Sequence, residues 1–374
     1  MTKVAIIGVG YSDWYEARNP ERPQYYELTF MASKRALEEA GISRDKVDIF
    51  IEGGVDWVNG RLISNMHTTS AMGTYLGDES QAAEDGLLAL IYACLKIKAG
   101  AGEIAIVTST YGGDSDLIFT SNTVFDPFIY RPLGMTYLHS LALKASSYKL
   151  KFNVNEESAA AVVVKNRENG SKNPRAYLKR KITVEEVMNS EYEIWPLRSL
   201  MIPKPIAGAV AIILASEEVA RRYAKEPIWI EDMKWITDNY YLGSKELYYL
   251  ASLNFIAKKV YDKLNINNPL RQIDAFEIAD VTPYHELMVC EALELTEIGQ
   301  ASKHVSDLQN INLSGGTICT DLSIASGLFK VGEAYYQLIG KEPYKLNINK
   351  VLVHSMSYHA GASAQTHAIL VLSK

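Results

Sequence analysis

The segment Gly86–Lys98 (GLLALIYACLKIK) is followed by Gly100 and by the apolar run Ile104–Val107. The second half of the chain repeats this order, because the segment Gly327–Gly340 (GLFKVGEAYYQLIG) precedes the run Lys350–Val353. Each copy reads as a helix bounded by glycines and followed by a buried strand. The bounding glycines are 14 positions apart in the first copy and 13 in the second. The repeat predicts an internal duplication of roughly 180 residues.

Further helix and strand patterns alternate along the chain. Gly86–Lys98 is apolar on every side up to Lys96, which predicts a helix buried in the middle of the protein. Alternating strands and helices predict an α/β fold with largely parallel sheets. The predicted strands are residues 3–8, 48–51, 104–107, 207–215, 228–230, 273–279 and 350–353, and the predicted helices are 26–40, 86–98, 138–150, 155–169, 244–265 and 327–340. A short helix follows Ser216, which we expect to be its N-cap.

The repeat divides the chain into two halves. We expect an N-terminal half at residues 1–225 and a C-terminal half at residues 226–374. Within the first half, residues 114–205 mix tyrosine, proline, asparagine and charged residues with short helical stretches. This composition predicts an insertion that covers one face of the core.

The composition excludes several classes of protein. With 374 residues, 48% hydrophobic and 22% charged, the chain is typical of a globular protein rather than a disordered one. No apolar run approaches the ~18–20 residues of a membrane span, and the N-terminus does not resemble a signal peptide. The net charge of −6 and the lack of a basic block argue against nucleic-acid binding. Three unevenly spaced cysteines form neither a disulfide framework nor a zinc site. We therefore expect a soluble cytoplasmic protein without a metal or a membrane partner.

Four stretches of sequence carry a family resemblance. They are VAIIGVGYSDW (4–14), residues 162–190 with 196–222, ELMVCEALELTEIGQ (286–300) and NLSGGTICTDLSIASG (312–327). Together they resemble the thiolase superfamily, particularly the sterol-carrier-protein-type thiolases of archaea, which are acetyl-CoA acetyltransferase-like proteins. The resemblance covers nearly the whole chain. It implies a five-layer αβαβα fold made of two similar halves, a dimeric core and acyl-CoA C-acyltransferase chemistry on CoA thioesters.

The family's nucleophile is a cysteine in a Cys-x-Ser-Gly motif at the start of a buried helix. A helix N-terminus lowers the pKa of a thiol there, because its free N–H groups and its dipole favour the thiolate. In this sequence the matching residues are Ala83, Glu84, Asp85 and Gly86. The resemblance therefore implies that Ala83 replaces the nucleophile. The simplest role of Glu84 and Asp85 is to cap the helix.

Three other catalytic positions of the family also differ. The histidine of the family's Gly-His-Pro motif corresponds to Asp321 or its neighbour, in a loop that is one residue shorter. A second family histidine, which helps to bind a thioester oxygen, precedes an aspartate, and here the pair is Ala279 and Asp280. The family's second cysteine corresponds to Met356, without the usual glycine pair. All four standard positions are therefore changed, and the tyrosine that related aldolases carry at the Asp321 position is absent as well.

Several residues are candidates to replace the lost chemistry. Glu84, Asp321 and His359 could act as bases, and Cys319 lies in the same loop as Asp321. The alternative for Cys319 is a small core residue, as we expect for Cys94 and Cys290. The remaining candidates, which are instead hydrogen-bonded structural residues if they do not reach the pocket, are His285, His354 and Tyr358. No glycine-rich phosphate loop is present, so we expect no tightly bound cofactor, whereas a CoA thioester could bind.

Three functions remain open from the sequence. The favoured one is a catalytically degenerate subunit that pairs with an active thiolase chain, with a possible OB-fold, zinc-ribbon acyl-CoA-binding partner. Loss of the nucleophile and of both histidines removes contributions worth orders of magnitude in rate. The second is an enzyme of altered chemistry on a CoA thioester, such as retro-aldol cleavage, and the third is a non-enzymatic acyl-CoA or lipid carrier.

Overall fold

The computed structural model describes residues 2–344, 347–357 and 366–374. The strands are β1 (Val4–Tyr11), β2 (Tyr15–Glu16), β3 (Ile49–Gly54), β4 (Asp78–Ala83), β5 (Ile104–Tyr111), β6 (Tyr192–Ile194), β7 (Leu197–Arg198), β8 (Ile206–Ser216), β9 (Ile228–Thr237), β10 (Ala275–Glu277), β11 (Lys350–Met356) and β12 (Thr366–Ser373). The helices are α1 (Tyr25–Ala40), α2 (Asp56–Asn59), α3 (Thr69–Met72), α4 (Gly86–Lys98), α5 (Leu117–Ser121), α6 (Tyr137–Phe152), α7 (Glu156–Lys172), α8 (Val184–Asn189), α9 (Glu217–Tyr223), α10 (Ala251–Leu264), α11 (Pro269–Gln272), α12 (Pro283–Ala292), α13 (Gly316–Cys319) and α14 (Ser326–Ile339).

The main sheet consists of two parts with a narrow connection. The N-terminal part has the strand order β4-β3-β5-β8-β1, and the C-terminal part has the order β9-β12-β11-β10. Strands β1 and β9 join the two parts through only two residue pairs, Ala5 with Trp229 and Ile6 with Ile228. The two parts can therefore turn away from each other and lie on opposite sides of a common helical layer.

The two parts share one topology. In the first, β3 pairs in parallel with β5, and β8 runs antiparallel to both β5 and β1. In the second, β10 pairs in parallel with β11, and β12 runs antiparallel to both β11 and β9. Helix α4 precedes β5 as α14 precedes β11. The duplication that the glycine-bounded helices predict is therefore visible in the strand pairing.

Three hydrophobic clusters separate five layers. Successive residues of β1 point to opposite faces, so Ala5 and Ile7 pack with α1, whereas Val4 and Ile6 pack with the central helices. Helices α4 and α14 form the central layer between the two sheets, and α10 and α12 cover the outer face of the C-terminal sheet. This arrangement confirms the predicted α/β class and the five-layer αβαβα architecture with two similar halves.

The insertion and its helices lie over the C-terminal half. Helices α6 and α7 pack on α12, and α7 also contacts α13. The predicted helices 138–150 and 155–169 are thereby confirmed within α6 and α7. In the described part of the chain, no helix combines the length and the apolar character that crossing a bilayer requires.

Some sequence predictions differ from the structure. The sheets are mixed rather than largely parallel, because β8 and β12 each run antiparallel to both of their neighbours. Strand 273–279 is only three residues long, and the predicted helix 244–265 begins at Ala251. Ser216 occupies the N-cap position of α9 without a capping hydrogen bond from its side chain. Helix α4 is not buried on every side as predicted. Its residues Tyr92 and Leu95 are each 38% exposed, because they line a surface cavity beside the edge strand β4.

Candidate functional site

The N-termini of the two central helices meet at the carboxyl group of Asp85. This residue is the N-cap of α4, and its Oδ1 accepts a hydrogen bond from the backbone N–H of Leu87 at 2.8 Å. Its Oδ2 accepts a hydrogen bond from the backbone N–H of Gly327, in the first turn of α14, at 3.0 Å. The hydroxyl of Ser355 donates a third hydrogen bond. We call Asp85, Gly327 and Ser355 the helix junction.

The helix junction is buried and tightly packed. Burial raises the pKa of Asp85 to about 7, although its three hydrogen bonds favour the carboxylate. A Cβ atom at position 327 would overlap the Asp85 carboxylate and lie 2.5 Å from Ser355 Oγ, so only glycine fits there. Helix N-termini are natural anion-binding sites, and here both of them bind a carboxyl group of the chain itself.

Ala83 and Glu84 precede the helix junction and border a surface cavity. Ala83 ends the edge strand β4 and is exposed, whereas Glu84 is half-buried with a left-handed φ of +88°. Glu84 Oε1 accepts a hydrogen bond from the Thr366 hydroxyl at 3.0 Å, and burial raises the pKa of this carboxyl. Glu84 Oε2 is buried and has no hydrogen-bond partner among the described residues. The cavity of about 400 Å³ is otherwise lined largely by apolar side chains, including Trp235.

Asp321 is fully buried on the other side of the loop that leads to α14. Its Oδ1 accepts hydrogen bonds from the Ser323 backbone N–H at 2.8 Å and from the Ser326 hydroxyl at 3.4 Å. Its Oδ2 has no partner among the described residues, and burial raises the pKa of the carboxyl to about 7. Asp321 is therefore a second buried carboxyl group that can exchange a proton near neutral pH.

Ala279 and Met356, the residues that the resemblance aligns with two further catalytic positions of the family, are both buried. The backbone N–H of Ala279 donates to His354 Nδ1 at 3.4 Å, and His354 Nε2 lies 3.1 Å from His367 Nδ1. Burial lowers the pKa of His354 to about 3, so its ring is neutral at physiological pH. Met356 ends β11 opposite His367. The imidazole rings of His354 and His367 therefore pair with each other inside the protein.

His285 and Lys144 lie near this pair and are also buried. Neither ring nitrogen of His285 has a hydrogen-bond partner among the described residues, and burial holds its pKa well below the usual value. Burial also lowers the pKa of Lys144 to about 7. The candidate residues Tyr358 and His359 lie outside the described residues.

The three cysteines are buried and pack against neighbouring side chains. Cys319 Sγ donates to the Asn166 carbonyl at 3.3 Å, and burial raises its pKa to about 12. Burial likewise raises the pKa of Cys94 to about 11 and raises that of Cys290 further. None of the three lies at the N-terminus of α4 or α14, so no thiolate is favoured at the helix junction.

The sequence did not identify every group of this region. Ser355 donates a third hydrogen bond to Asp85, and the Asp321 charge raises the pKa of Tyr111 and of Tyr137. These effects join segments that lie far apart in the chain. No local pattern in the sequence could have found them. The described residues contain no group of three or more histidine, cysteine or acidic side chains arranged to hold a metal ion.

Comparison with known proteins supports the family. No family profile matches the chain. The acetyl-CoA acetyltransferase of Methanocaldococcus jannaschii is 26% identical over 402 aligned residues, which cover 100% of this chain and 99% of that protein. Human sterol carrier protein 2 is 24% identical over 91% of this chain and 67% of its own length. Both alignments extend over most of this chain.

Comparison with solved structures shows that the fold is shared. The solved structure of the Ltp2-ChsH2(DUF35) aldolase superposes with a TM-score of 0.82 at 20% identity, over 99% of this chain and 97% of that one. The sequence is similar to acetyl-CoA acetyltransferases and to sterol carrier protein 2, which supports a thiolase-like protein of acyl-CoA metabolism. The fold agrees with this similarity.

Proposed function

We propose that this chain is a thiolase-fold subunit of acyl-CoA metabolism that has lost thiolysis and pairs with an active thiolase-type chain. The helix junction is the observation that carries this proposal. Thiolysis requires a thiolate at the N-terminus of α4, and that end of the helix carries Ala83, Glu84 and the hydrogen-bonded carboxyl of Asp85. Without an activated nucleophile, the covalent route through an acyl-enzyme is closed.

Asp85 also opposes the recovery of such a nucleophile. A helix N-terminus stabilises a thiolate through its N–H groups and its positive end. In this chain the carboxyl of Asp85 accepts hydrogen bonds from both central helices, at Leu87 and at Gly327. When ionised, it adds a negative charge at the place where a thiolate would develop.

The edge strand β4 supports the partnership. Among the residues that the structure describes, it pairs with β3 alone, so the backbone groups on its other side are open to another strand. Exposed apolar side chains lie close to it in the chain, including Tyr75 and Leu76, which are 74% and 92% exposed. Tyr92, Leu95 and Trp235 line the cavity beside the strand and are also exposed. Such apolar surface beside an open edge favours association with another protein chain.

The first experiment measures thiolysis with and without a partner. The purified chain is assayed with acetoacetyl-CoA and CoA, alone and after co-expression with an active thiolase-type chain from the same organism. We expect no thiolysis by the chain alone and co-elution of both chains at a defined mass. Robust thiolysis by a homo-oligomer of this chain would refute the proposal.

A second experiment tests the helix junction directly. We compare Ala83→Cys with the double variant Ala83→Cys/Asp85→Ser by measuring the pKa of the new thiol through its rate of alkylation. We expect the pKa to be lower by about one unit or more in the double variant, because the competing carboxylate is gone. Equal thiol pKa values in the two variants would show that Asp85 does not occupy the anion site.

Altered chemistry on a CoA thioester is the second candidate, and two observations favour it. Asp321 has a free buried oxygen, Oδ2, and a pKa of about 7. A structure of similar fold is named as an aldolase. Turnover of a β-hydroxyacyl-CoA by the isolated chain would support this candidate, whereas acyl-CoA binding without any turnover would support the carrier function.

A further inference from the structure

The cavity beside the end of strand β4 combines an apolar lining with a single carboxyl group. Its volume of about 400 Å³ is within the range of specific binding sites. Residues of β4, α4, β9 and β12 line it, and the apolar ones are Leu88, Ile91, Tyr92, Leu95 and Trp235. We call this space the Glu84 cavity, after the one acidic or basic side chain among the described residues that line it.

The Glu84 carboxyl has an unused hydrogen-bond acceptor. Oε1 accepts a hydrogen bond from the Thr366 hydroxyl at 3.0 Å, whereas Oε2 is buried and has no partner among the described residues. Asp85, rather than Glu84, caps α4 with its side chain. A buried acceptor without a donor is destabilising, and native structures rarely retain one without a reason.

The chain itself supplies no cation to this carboxyl. Within the described residues, burial and the Thr366 hydroxyl are the influences on the pKa of Glu84, and no lysine or arginine acts on it. Lys96, which follows the lining residue Leu95, donates instead to the Asp78 carboxylate at 2.6 Å. A cation from outside the chain would therefore compensate a charge that is left without a partner.

The backbone holds Glu84 at the cavity in an unfavourable conformation. Its φ of +88° lies in the left-handed region, which favours glycine. Such strain persists mainly where the side chain it positions has a function. The strained backbone and the unpartnered oxygen are independent observations, and both indicate that Glu84 serves a ligand.

The lining selects a cation that carries an apolar stem. A carboxylate attracts an ammonium or guanidinium group, and the face of an indole such as that of Trp235 attracts the same groups. The methylene stems of lysine and arginine pack well on apolar surface of the kind that Leu88 and Ile91 provide. An anionic ligand would meet the Glu84 carboxyl without any compensating base in the described lining.

The cavity adjoins the edge of β4 that faces away from β3. Gln81, Ala82 and Ala83, the last three residues of β4, line its mouth. A strand of another chain that adds to this edge would pass the mouth and direct a side chain into it. Tyr92 and Leu95 are each 38% exposed at the same mouth, so the contact would cover them as well. An apolar rim that excludes water from a central polar contact is typical of interface hot spots.

We propose that the Glu84 cavity receives one arginine or lysine side chain of the partner chain, whose cationic group pairs with the Glu84 carboxylate. The stem of that side chain packs against Leu88 and Trp235. Because the pair is shielded from water, a chain without a cation at this position leaves the carboxylate unpaired and is rejected. The inference depends on the proposed function for its partner, whereas the preference of the cavity for a cation is a property of this chain alone.

The first test titrates the full chain alone with n-butylguanidinium and with n-butylurea, which has a similar shape and no charge, by ligand-observed NMR. We expect the wild-type chain to bind n-butylguanidinium at least about ten-fold more tightly than n-butylurea. Glu84→Gln keeps an acceptor for Thr366 and should abolish this preference. Trp235→Ala should weaken binding of n-butylguanidinium by about two- to five-fold.

Glu79→Gln is the matched control for the loss of charge. Glu79 lies on the same strand, outside the cavity lining, and accepts a hydrogen bond from Asn65 at 2.9 Å. The control should keep the preference for n-butylguanidinium. Thermal unfolding verifies that each variant is folded.

The second test measures the affinity of the active thiolase-type chain used in the co-expression experiment. Glu84→Gln should weaken the complex at least about ten-fold, because the cation of the partner loses its counter-charge. Glu79→Gln should change the affinity by less than about two-fold.

Equal binding of the two probes by the folded wild-type chain would overturn the preference of the cavity for a cation. Undiminished affinity of the partner for folded Glu84→Gln would overturn the placement of a partner side chain in the cavity. If the wild-type chain forms no complex, the proposed function fails and the partner side chain with it. The titration of the chain alone still decides in that case whether the cavity selects a cation, so the two failures are distinguishable.

Discussion

Two groups of buried carboxyl side chains lie near each other in this molecule and differ in the charges that face them. In the first group, Asp280 lies 3.0 Å from Lys330 Nζ and Glu286 lies 2.6 Å from Lys165 Nζ. In the second group, Asp85 and Asp321 have only neutral donors as direct partners. Burial raises the pKa of both members of the second group to about 7.

The paired group holds the insertion and the C-terminal half together. Asn166 of α7 donates to Asp280 Oδ2 at 3.0 Å and to Glu286 Oε2 at 2.6 Å. Lys165 and Lys330 come from α7 and α14, so the network connects three helices through their side chains. The comparison teaches that a carboxyl with a lysine partner has a structural role here, whereas one without such a partner is available for proton exchange.

The largest expected effect comes from removing a lysine of the paired group. Lys330→Met leaves the Asp280 carboxylate buried without its cation and should lower the free energy of unfolding by about 3–5 kcal/mol. It should also raise the pKa of Asp85 and Asp321, because Lys330 lowers both. Urea denaturation followed by circular dichroism measures the first effect.

The control for this variant is an exposed ion pair on α7. Lys172 and Glu168 are 3.2 Å apart, and both side chains are more than half exposed. Lys172→Met should change the free energy of unfolding by about 0.5 kcal/mol or less. If the two lysine variants lost equal stability, the structural role assigned to the buried network would be wrong.

The next effect concerns the packing of the helix junction. Gly327→Ala introduces a Cβ that overlaps the Asp85 carboxylate, and we expect a loss of about 2–3 kcal/mol from strain and displacement. Gly243→Ala is the control, because its Cβ would have no neighbour within 4 Å. The midpoint of thermal unfolding compares the two, and a Gly327→Ala protein as stable as the control would contradict the close approach of α4 and α14.

The pH dependence of stability distinguishes Asp85, a member of the second group, from the carboxyl side chains that are paired with lysines. Because the folded state raises the pKa of Asp85 from 3.8 to about 7, it binds a proton that the unfolded state releases between about pH 4 and pH 7. Stability from this group is therefore lost as the pH rises through that window, with a slope of up to about 1.4 kcal/mol per pH unit. Asp85→Asn should flatten the measured curve, and an unchanged slope would show that Asp85 ionises normally.

The smallest expected effect measures backbone strain at Glu84. The left-handed φ of +88° favours glycine, so Glu84→Gly should be more stable than Glu84→Ala by about 1 kcal/mol. Both variants lose the hydrogen bond from Thr366, so their difference isolates the backbone. If residue 84 had an ordinary backbone conformation, Glu84→Ala would be more stable than Glu84→Gly. Finding Glu84→Ala the more stable variant in urea denaturation would contradict the backbone strain.

Local sequence patterns predicted much of the fold. The glycine-bounded segments became α4 and α14 within one residue, because apolar periodicity and a following glycine are local signals. The direction in which the strands pair has no such local signal in the sequence. The antiparallel positions of β8 and β12 depend on which strands each one meets in the folded protein. The mixed sheets could therefore not be read from the sequence.

The candidate site divides in the same way. The resemblance pointed to Ala83 and Asp321, and Asp85 could be expected as a helix cap. The hydrogen bond from α14 to Asp85 joins residues that are more than two hundred positions apart. The influence of Asp321 on the pKa of Tyr111 and Tyr137, and the burial that raises the pKa of Asp321 to about 7, likewise depend on distant segments. No spacing along the chain encodes such distances.

By itself, the sequence determined the duplicated α/β architecture, the family resemblance and the absence of a cysteine at the start of α4. These features follow from the order of residues, because helix periodicity, strand composition and motif identity are properties of neighbouring positions. Only the tertiary structure decided which buried acids face lysines and which face neutral donors. Ionisation depends on burial and on the nearest charges, and folding alone brings those groups together.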